Sequence, residues 1–177
     1  MPYYNPFGDY PQIGKNTFIH PSAQVIGNVV IGENCFVGPN AVIRADEALN
    51  GKVSPIIIGN KVNIQDGVII HALAGTEVRI HDNVSIAHGA IVHGPAVIKE
   101  YCFIGFGAVV FNAVLNPWVF VGHRAVVEEC EIASERLVPT GIVVKDQILQ
   151  KLTESKRDFI LKVNTMNVYL VEKYLKK

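Results

Sequence analysis

Residues 25–43, "VIGNVVIGENCFVGPNAVI", place an aliphatic residue at every sixth position: Val25, Ile31, Val37 and Ile43. The periodicity of an α-helix does not produce a strict repeat of six. One apolar anchor with turn-forming residues between successive anchors is typical of a parallel β-helix, in which short strands meet at corners and every anchor faces a shared core. The same series includes Ile13, Ile19, Ile58, Ile64, Ile70, Ile80, Ile86, Val92, Ile98, Ile104, Val110, Leu115, Val121 and Val127.

This repeat resembles that of the left-handed hexapeptide β-helix family. The resemblance implies three hexapeptides, and therefore eighteen residues, per coil of a triangular prism, and it also implies the left-handedness. We accordingly predict an all-β domain over residues 1–145, a left-handed parallel β-helix with an N-terminal lead-in.

The apolar period changes in the tail, residues 146–177. Apolar side chains there recur every three or four residues, which predicts an amphipathic α-helix packed on the β-helix. These side chains are Phe159, Val163, Met166, Leu170 and Tyr174. Ser155 and Asp158 have the spacing of a capping box at the start of this C-terminal helix.

The breaks in the six-residue series all fall at one corner of the predicted prism. When the faces are called A, B and C in chain order, the irregular steps are 15 residues after Ile43, 10 after Ile70 and 5 after Val110. All three steps lead from face A to face B. Random insertions would scatter over the corners, whereas loops that serve one site cluster on one edge.

Three histidines fall on two different faces. His71 and His93 each follow a face-A anchor, and their separation of 22, less the 4 extra residues of the loop between them, is one coil of 18. Parallel strands lie about 4.8 Å apart, so two stacked imidazoles can converge on one metal ion. His88 follows a face-C anchor and cannot reach that ion within one chain. A threefold homotrimer, which lays face C of one subunit against face A of the next, removes the difficulty.

Other polar residues share these columns. Arg44 lies one coil below His71 on face A, and Asp66 lies one coil below His88 on face C. Charged ladders on facing surfaces are costly unless they pair or bind something. We therefore expect Arg44 to pair with Asp46 or Asp66 across the subunit boundary.

Three stretches carry a closer resemblance: "RADE" at 44–47, "NIQDGVIIHAL" at 63–73 and "SIAHGAIVHGPA" at 85–96. They resemble the gamma-class carbonic anhydrases, trimeric left-handed β-helix lyases that interconvert CO2 and bicarbonate. The resemblance implies that His71 and His93 bind a metal ion together with His88 of the neighbouring subunit. The other site residues that it implies are Arg44, Asp46, Glu47, Asn63, Gln65, Asp66 and Asn167.

The implied chemistry is the reversible hydration of CO2. A metal ion held by three histidines lowers the pKa of water from about 15.7 to about 7, so that hydroxide is available to attack CO2. Gln65 would orient that water. We expect Zn²⁺, although three imidazoles suit Fe²⁺ and Co²⁺ as well.

Two departures from the family keep other functions open. Some family members have a proton-shuttling glutamate at the position of Ala74, so here the proton would pass through Glu47 or Glu77 or would be transferred slowly. The family's tyrosine near Asn167 is replaced by Thr165. One alternative is a weak or inactive scaffold or interaction module of the same fold. The other is a hexapeptide acyltransferase, which typically needs one catalytic histidine and a coenzyme A groove.

Composition restricts the partners and the compartment. The chain of 177 residues has 16 basic and 16 acidic residues, so no net charge directs it to nucleic acid or to an anionic membrane. Cys35, Cys102 and Cys130 form no paired motif, which favours a reduced intracellular protein. Without a signal sequence or a long apolar segment, the sequence predicts a soluble cytoplasmic protein.

Overall fold

Short parallel strands stack in three ladders that form the faces of a triangular prism. The computed structural model describes residues 1–145 and 148–176, and its β-solenoid has about seven turns. Face A contains the strands Pro2–Tyr3, Gln24–Gly27, Val42–Ala45, Ile69–His71 and Val126–Glu128. Face B contains Gln12–Ile13, Val29–Ile31, Ile56–Ile58, Val78–Ile80 and Glu131–Ile132. Two longer strands, Ile91–Ile98 and Val109–Leu115, run from face A into face B.

Face C is a separate ladder. Its parallel strands are Phe18–Ile19, Phe36–Val37, Asn63–Ile64, Ser85–Ile86, Phe103–Ile104, Phe120–Val121 and Arg136–Val138. The antiparallel strand Gln150–Lys151 completes it at one end. The predicted fold class, a left-handed parallel β-helix with a C-terminal helix, is confirmed.

The predicted anchors form the core. From Val25 to Val127 each anchor of the series is at most 2% exposed, and only Ile13 and Ile19, in the first coil, are partly buried. Along face A, Ile70 pairs in register with Ile43 on one side and with Val92 on the other, as the count of 18 residues predicts. Burying aliphatic side chains in this stack stabilises the fold by roughly 1.5–3 kcal/mol each.

Two of the three breaks are insertions that contact each other. After Val42–Ala45 the chain forms a β-hairpin, with strands Ala48–Leu49 and Lys52–Val53, and after Ile69–His71 it forms a short loop over residues 72–77. Gly75 in that loop has φ +78°, and a Cβ there would lie 2.6 Å from Leu49 Cδ2. A glycine therefore lets the loop lie against the hairpin.

The C-terminal helix is Glu154–Leu175, and its N-cap is Thr153, not Ser155, because the Thr153 side chain accepts a hydrogen bond from the backbone N–H of Lys156. The helix packs on face C and buries Ile160, Asn164 and Val171.

The prism covers the apolar face predicted for this helix only in part. Phe159 and Tyr174 contact rings of face C, with ring centroids 5.2 Å from Phe103 and 4.4 Å from Phe18, whereas Met166 is the most exposed of the five predicted residues. Phe159, Met166 and Tyr174 are 41%, 57% and 41% exposed, respectively. The predicted boundary at residues 145 and 146 adjoins Asp146 and Gln147, which lie outside the described residues. Within residues 1–145 and 148–176, no helix combines the length and the apolar character that crossing a membrane requires.

Candidate metal centre

One half of the candidate site is on face A and is called here the two-histidine half: Arg44, Asp46, Glu47, His71 and His93. His71 pairs in register with Arg44 on one side and with His93 on the other. The Nδ1 atom of His71 lies 3.1 Å from Nε2 of His93, and the His71 residue is 8% exposed. Adjacent rungs therefore bring two imidazoles together, as the eighteen-residue count predicts.

A backbone contact fixes the proton on His93. Its Nδ1 lies 2.9 Å from the carbonyl oxygen of Gly94, so Nδ1 carries the hydrogen and donates it. In the neutral ring this leaves Nε2 with a lone pair, on the side that faces His71. Such an outer hydrogen bond is typical of histidines that bind metals, because it fixes the tautomer and the ring orientation.

His71 has a buried ring nitrogen without a hydrogen-bond partner. Its Nε2 is the one buried side-chain nitrogen or oxygen in the described chain without such a partner, with carboxylate oxygens of Glu47 and Asp46 at 3.4 and 3.6 Å. Burial, and then the charge of Arg44, lowers the pKa of His71, so the imidazole is neutral near pH 7. A neutral imidazole with an unsatisfied nitrogen is the form that binds a metal ion, and these residues fit one.

Two interactions hold the carboxylates of this half. Arg44 Nη1 donates to both oxygens of Asp46, at 3.0 and 2.9 Å. The Arg44–Asp46 pair expected across a subunit boundary is thus made within one chain, while contact between Arg44 and Asp66 stays a prediction. Glu47 Oε2 accepts a hydrogen bond from the backbone N–H of Ala74 at 3.3 Å. The short loop therefore holds Glu47 beside His71.

The other half is on face C and is called the one-histidine half: Asn63, Gln65, Asp66, His88 and Asn167. The carboxylate of Asp66 lies 3.4 Å from Nδ1 of His88, as their shared column predicts. The His88 side chain is 52% exposed. Because half of its side chain is exposed, His88 is accessible to a ligand.

An amide chain orients Gln65. Its Nε2 donates to Oδ1 of Asn63 at 2.7 Å and to Oδ1 of Asn167 at 3.1 Å. Asn167 in turn donates its own Nδ2 to the carbonyl oxygen of Val163 at 2.8 Å, which fixes which end of its amide faces Gln65. Both hydrogens of Gln65 are used, so its Oε1 is the group left to accept a hydrogen bond from a bound molecule.

Aromatic rings continue both histidine columns. Phe111 follows His93, with ring centroids 5.4 Å apart. Phe106 lies between His88 and His123 and is stacked 4.3 Å from the His123 ring. Phe106 was not singled out from the sequence, although adding 18 to His88 gives its number.

The two halves are on different faces of the prism. Within the described part of one chain, no three ligand side chains come together at a metal-binding distance. Within one chain, His88 is therefore not grouped with His71 and His93.

Comparison with known proteins agrees with the six-residue repeat. The family model "Bacterial transferase hexapeptide (six repeats)" matches residues 10–45 and 77–112. A Bacillus cereus structure described as a candidate acetyltransferase has a TM-score of 0.85 and 26% identity, covering 97% of this chain and 95% of that chain.

Two curated relatives are more similar in sequence. The chain is 35% identical to the carboxysome assembly protein CcmM of Nostoc over 93% of its own length, but spans only 31% of that protein. It is 36% identical to the carbonic anhydrase of Methanosarcina thermophila, over 97% of this chain and 77% of the relative. With this repeat, this arrangement of residues and this coverage, the chain belongs to the gamma-class carbonic anhydrase family of hexapeptide-repeat proteins.

Proposed function

We propose that the protein is a metal-dependent carbonic anhydrase that interconverts CO2 and bicarbonate. The observation that carries the proposal is the pair of adjacent imidazoles. His93, whose tautomer is set by the Gly94 carbonyl, presents its Nε2 3.1 Å from Nδ1 of His71, and the buried Nε2 of His71 has no hydrogen-bond partner. The similarity to the carbonic anhydrase of Methanosarcina thermophila supports the same reaction.

The proposal includes a homotrimer. Because the two halves are on different faces, a complete site needs face A of one subunit against face C of the next. His71 and His93 would then hold the metal ion together with His88 of the neighbouring subunit. Three equal interfaces would make three sites.

When bound, the metal ion makes hydroxide available near neutral pH. Asn63 and Asn167 hold the Gln65 amide, so its free Oε1 would accept a hydrogen bond from the reacting water and orient it. Phe111 provides an apolar wall next to His93. Glu47 is held by Ala74 N–H with its side chain 40% exposed, so it can take the released proton and pass it to solvent.

Ala74 stands where some family members have a proton-shuttling glutamate. This replacement favours one competing function, a weakly active or inactive scaffold. The likeness to CcmM, whose name describes an assembly protein, agrees with that alternative. An acyltransferase is suggested by the Bacillus cereus structure. An acyltransferase function would require this protein to turn over acetyl-CoA.

The deciding experiment measures metal content and stopped-flow CO2 hydration on the same preparation, with acetyl-CoA turnover as the control reaction. We expect bound metal and hydration that are lost in His71→Ala, His88→Ala and His93→Ala but kept in His81→Ala, because His81 is exposed and outside both halves. Bound metal without hydration would favour the scaffold.

Mixed trimers test the shared site. His88→Ala chains keep an intact face A and His71→Ala chains keep an intact face C, so each mixed trimer should regain about one complete site. Mixed trimers that form but bind no metal would contradict a site between subunits.

A further inference from the structure

A buried polar contact joins the C-terminal helix to the prism and has no part in the proposed chemistry. Ser85 Oγ donates to Oδ1 of Asn164 at 2.6 Å, and Asn164 Nδ2 donates to the backbone carbonyl of Asn83 at 2.7 Å. Ser85 is 0% exposed and Asn164 is 7% exposed. We call this contact the asparagine latch. Both ends of the Asn164 amide are used, so the latch accepts one orientation of the helix only.

The latch lies next to the one-histidine half along both the prism and the helix. Ser85 pairs in register with Asn63, whose side chain holds Gln65. Asn164 precedes Asn167 by three residues, less than one helical turn. The latch and the contact between Gln65 and Asn167 are therefore neighbouring attachments of the same helical turn to face C.

The attachments within about one turn of the latch, apart from the contact between Asn167 and Gln65, are apolar and tolerate displacement; the ion pair between Arg157 and Glu135 lies about two turns away, on partly exposed side chains. Ile160 is packed in a cluster with Phe103 and Phe120. Apolar contacts are not directional, and a slip of one residue would move the helix by about 1.5 Å and rotate it by about 100°. Such a slip would break the 3.1 Å hydrogen bond between Gln65 and Asn167.

We infer that Ser85 and Asn164 are positioning residues: they set the rotation and register of the helix so that Asn167 holds the Gln65 amide. The effect on the amide follows from the contacts within one chain. Its effect on catalysis rests on the proposed carbonic anhydrase function.

The first test needs no metal and no activity. The side-chain amide signals of Gln65 and Asn167 are recorded by ¹H–¹⁵N NMR on metal-free protein and assigned by their loss in Gln65→Glu and Asn167→Asp. In Asn164→Leu, the Gln65 signal should move to the position that it has in Asn167→Ala. A Gln65 signal that stays at its parent position would overturn the inference.

A second variant separates positioning from stability. Asn164→Leu leaves the Ser85 hydroxyl without its acceptor, whereas the double variant Ser85→Ala/Asn164→Leu removes both side-chain partners and should regain much of the lost thermal stability. The Gln65 signal should stay displaced in the double variant. If the Gln65 signal returned to its parent position when the double variant regained thermal stability, the latch would have a structural role alone.

Tyr174→Ala is the matched control. Tyr174 attaches the same helix elsewhere, by stacking on Phe18 with ring centroids 4.4 Å apart. This variant should lower the melting temperature and leave the Gln65 signal in place. A displaced signal in Tyr174→Ala would show that any loosening of the helix has this effect and would overturn the specific role of the latch.

Kinetics complete the test. Asn164→Leu should lower kcat for hydration roughly tenfold, and should lower it no further in an Asn167→Ala background, because both changes act through one contact. Independent, multiplying losses would contradict the inference. If the parent enzyme does not hydrate CO2, the proposed function fails, while the NMR result still decides the role of the latch.

Discussion

At the scale of single residues, the site depends on which atom of a side chain carries hydrogen. The carbonyl of Gly94 places the His93 hydrogen on Nδ1, and the Val163 carbonyl decides which end of the Asn167 amide faces Gln65. Neither backbone contact can be read from residue spacing. The candidate site residues follow from columns and resemblance and stay a prediction, whereas the orientation of their side chains is visible only in the fold.

Gln65→Ala should retain the metal and lower kcat about 100-fold, because the amide orients the attacking oxygen but is not a proposed ligand. Metal analysis and stopped-flow hydration check both parts. Gln24→Ala is the control, since Gln24 is exposed on face A and outside both halves. Loss of metal in Gln65→Ala would mean that Gln65 also holds the ion.

The three thiols should react at very different rates. Burial raises the pKa of Cys35 to about 11 and that of Cys102 to about 12, and burial also raises the pKa of the half-buried Cys130. At pH 8 the two buried groups are protonated and therefore unreactive. With a disulfide reagent, we expect one accessible thiol, absent in Cys130→Ser, and two that react only on unfolding. Rapid labelling of all three in the folded protein would contradict this.

At the scale of elements, the β-helix was more predictable than the helix on it. A strict period of six fixes which side chains are buried and which share a column, so the pairing of His71 with His93 follows from counting. The helix carries apolar residues on more than one side, and its buried face includes the polar Asn164. Its rotation could not be predicted because the latch joins residues 79 positions apart.

Two short-range polar contacts, the Arg44–Asp46 pair and the N-cap of the helix, differ from the sequence-based predictions. Arg44 and Asp46 are two residues apart at the end of one strand, where side chains at i and i+2 share a face, so this pair is made within one chain. Thr153 and Ser155 are both good caps with hydroxyls 3.1 Å apart, and the sequence does not distinguish them.

The two insertions at one corner hold Glu47 beside His71. This contact predicts the route by which the proton released during hydration leaves the site. Since Ala74 supplies only its N–H to Glu47, hydration should be limited by proton transfer, and kcat should rise with buffer concentration while kcat/KM changes little. Glu47→Ala should lower kcat several-fold at low buffer, and Ala74→Glu should raise it. Glu77→Ala should leave kcat and its dependence on buffer concentration unchanged, because Glu77 is paired with Arg79. A kcat independent of buffer in all four proteins would show that proton transfer is not limiting.

At the scale of the whole molecule, the proposed division of the site between two faces would link assembly to metal binding. An ion that bridges two subunits binds the trimer and not the separate chains, and at 100 times its dissociation constant it adds about 2.7 kcal/mol per site. A chelator should therefore lower the melting temperature and promote dissociation on dilution. Sedimentation with and without chelator measures this.

His88→Ala should behave like the chelated parent, and chelator should have no further effect on it. His81→Ala, which changes an exposed histidine outside both halves, should respond to the chelator as the parent does. A trimer that dissociates at the same concentration with and without metal would show that the ion does not connect subunits.

The two ends of the prism explain how a stack of nearly identical coils stops growing. A solenoid leaves a row of unpaired backbone N–H and C=O groups at each end, which is a template for adding further chains into a fibre. Here one end of face A is the two-residue strand Pro2–Tyr3, in which proline has no N–H to offer, and one end of face C is covered by the reversed strand Gln150–Lys151. Both features interrupt the template at these two strand ends.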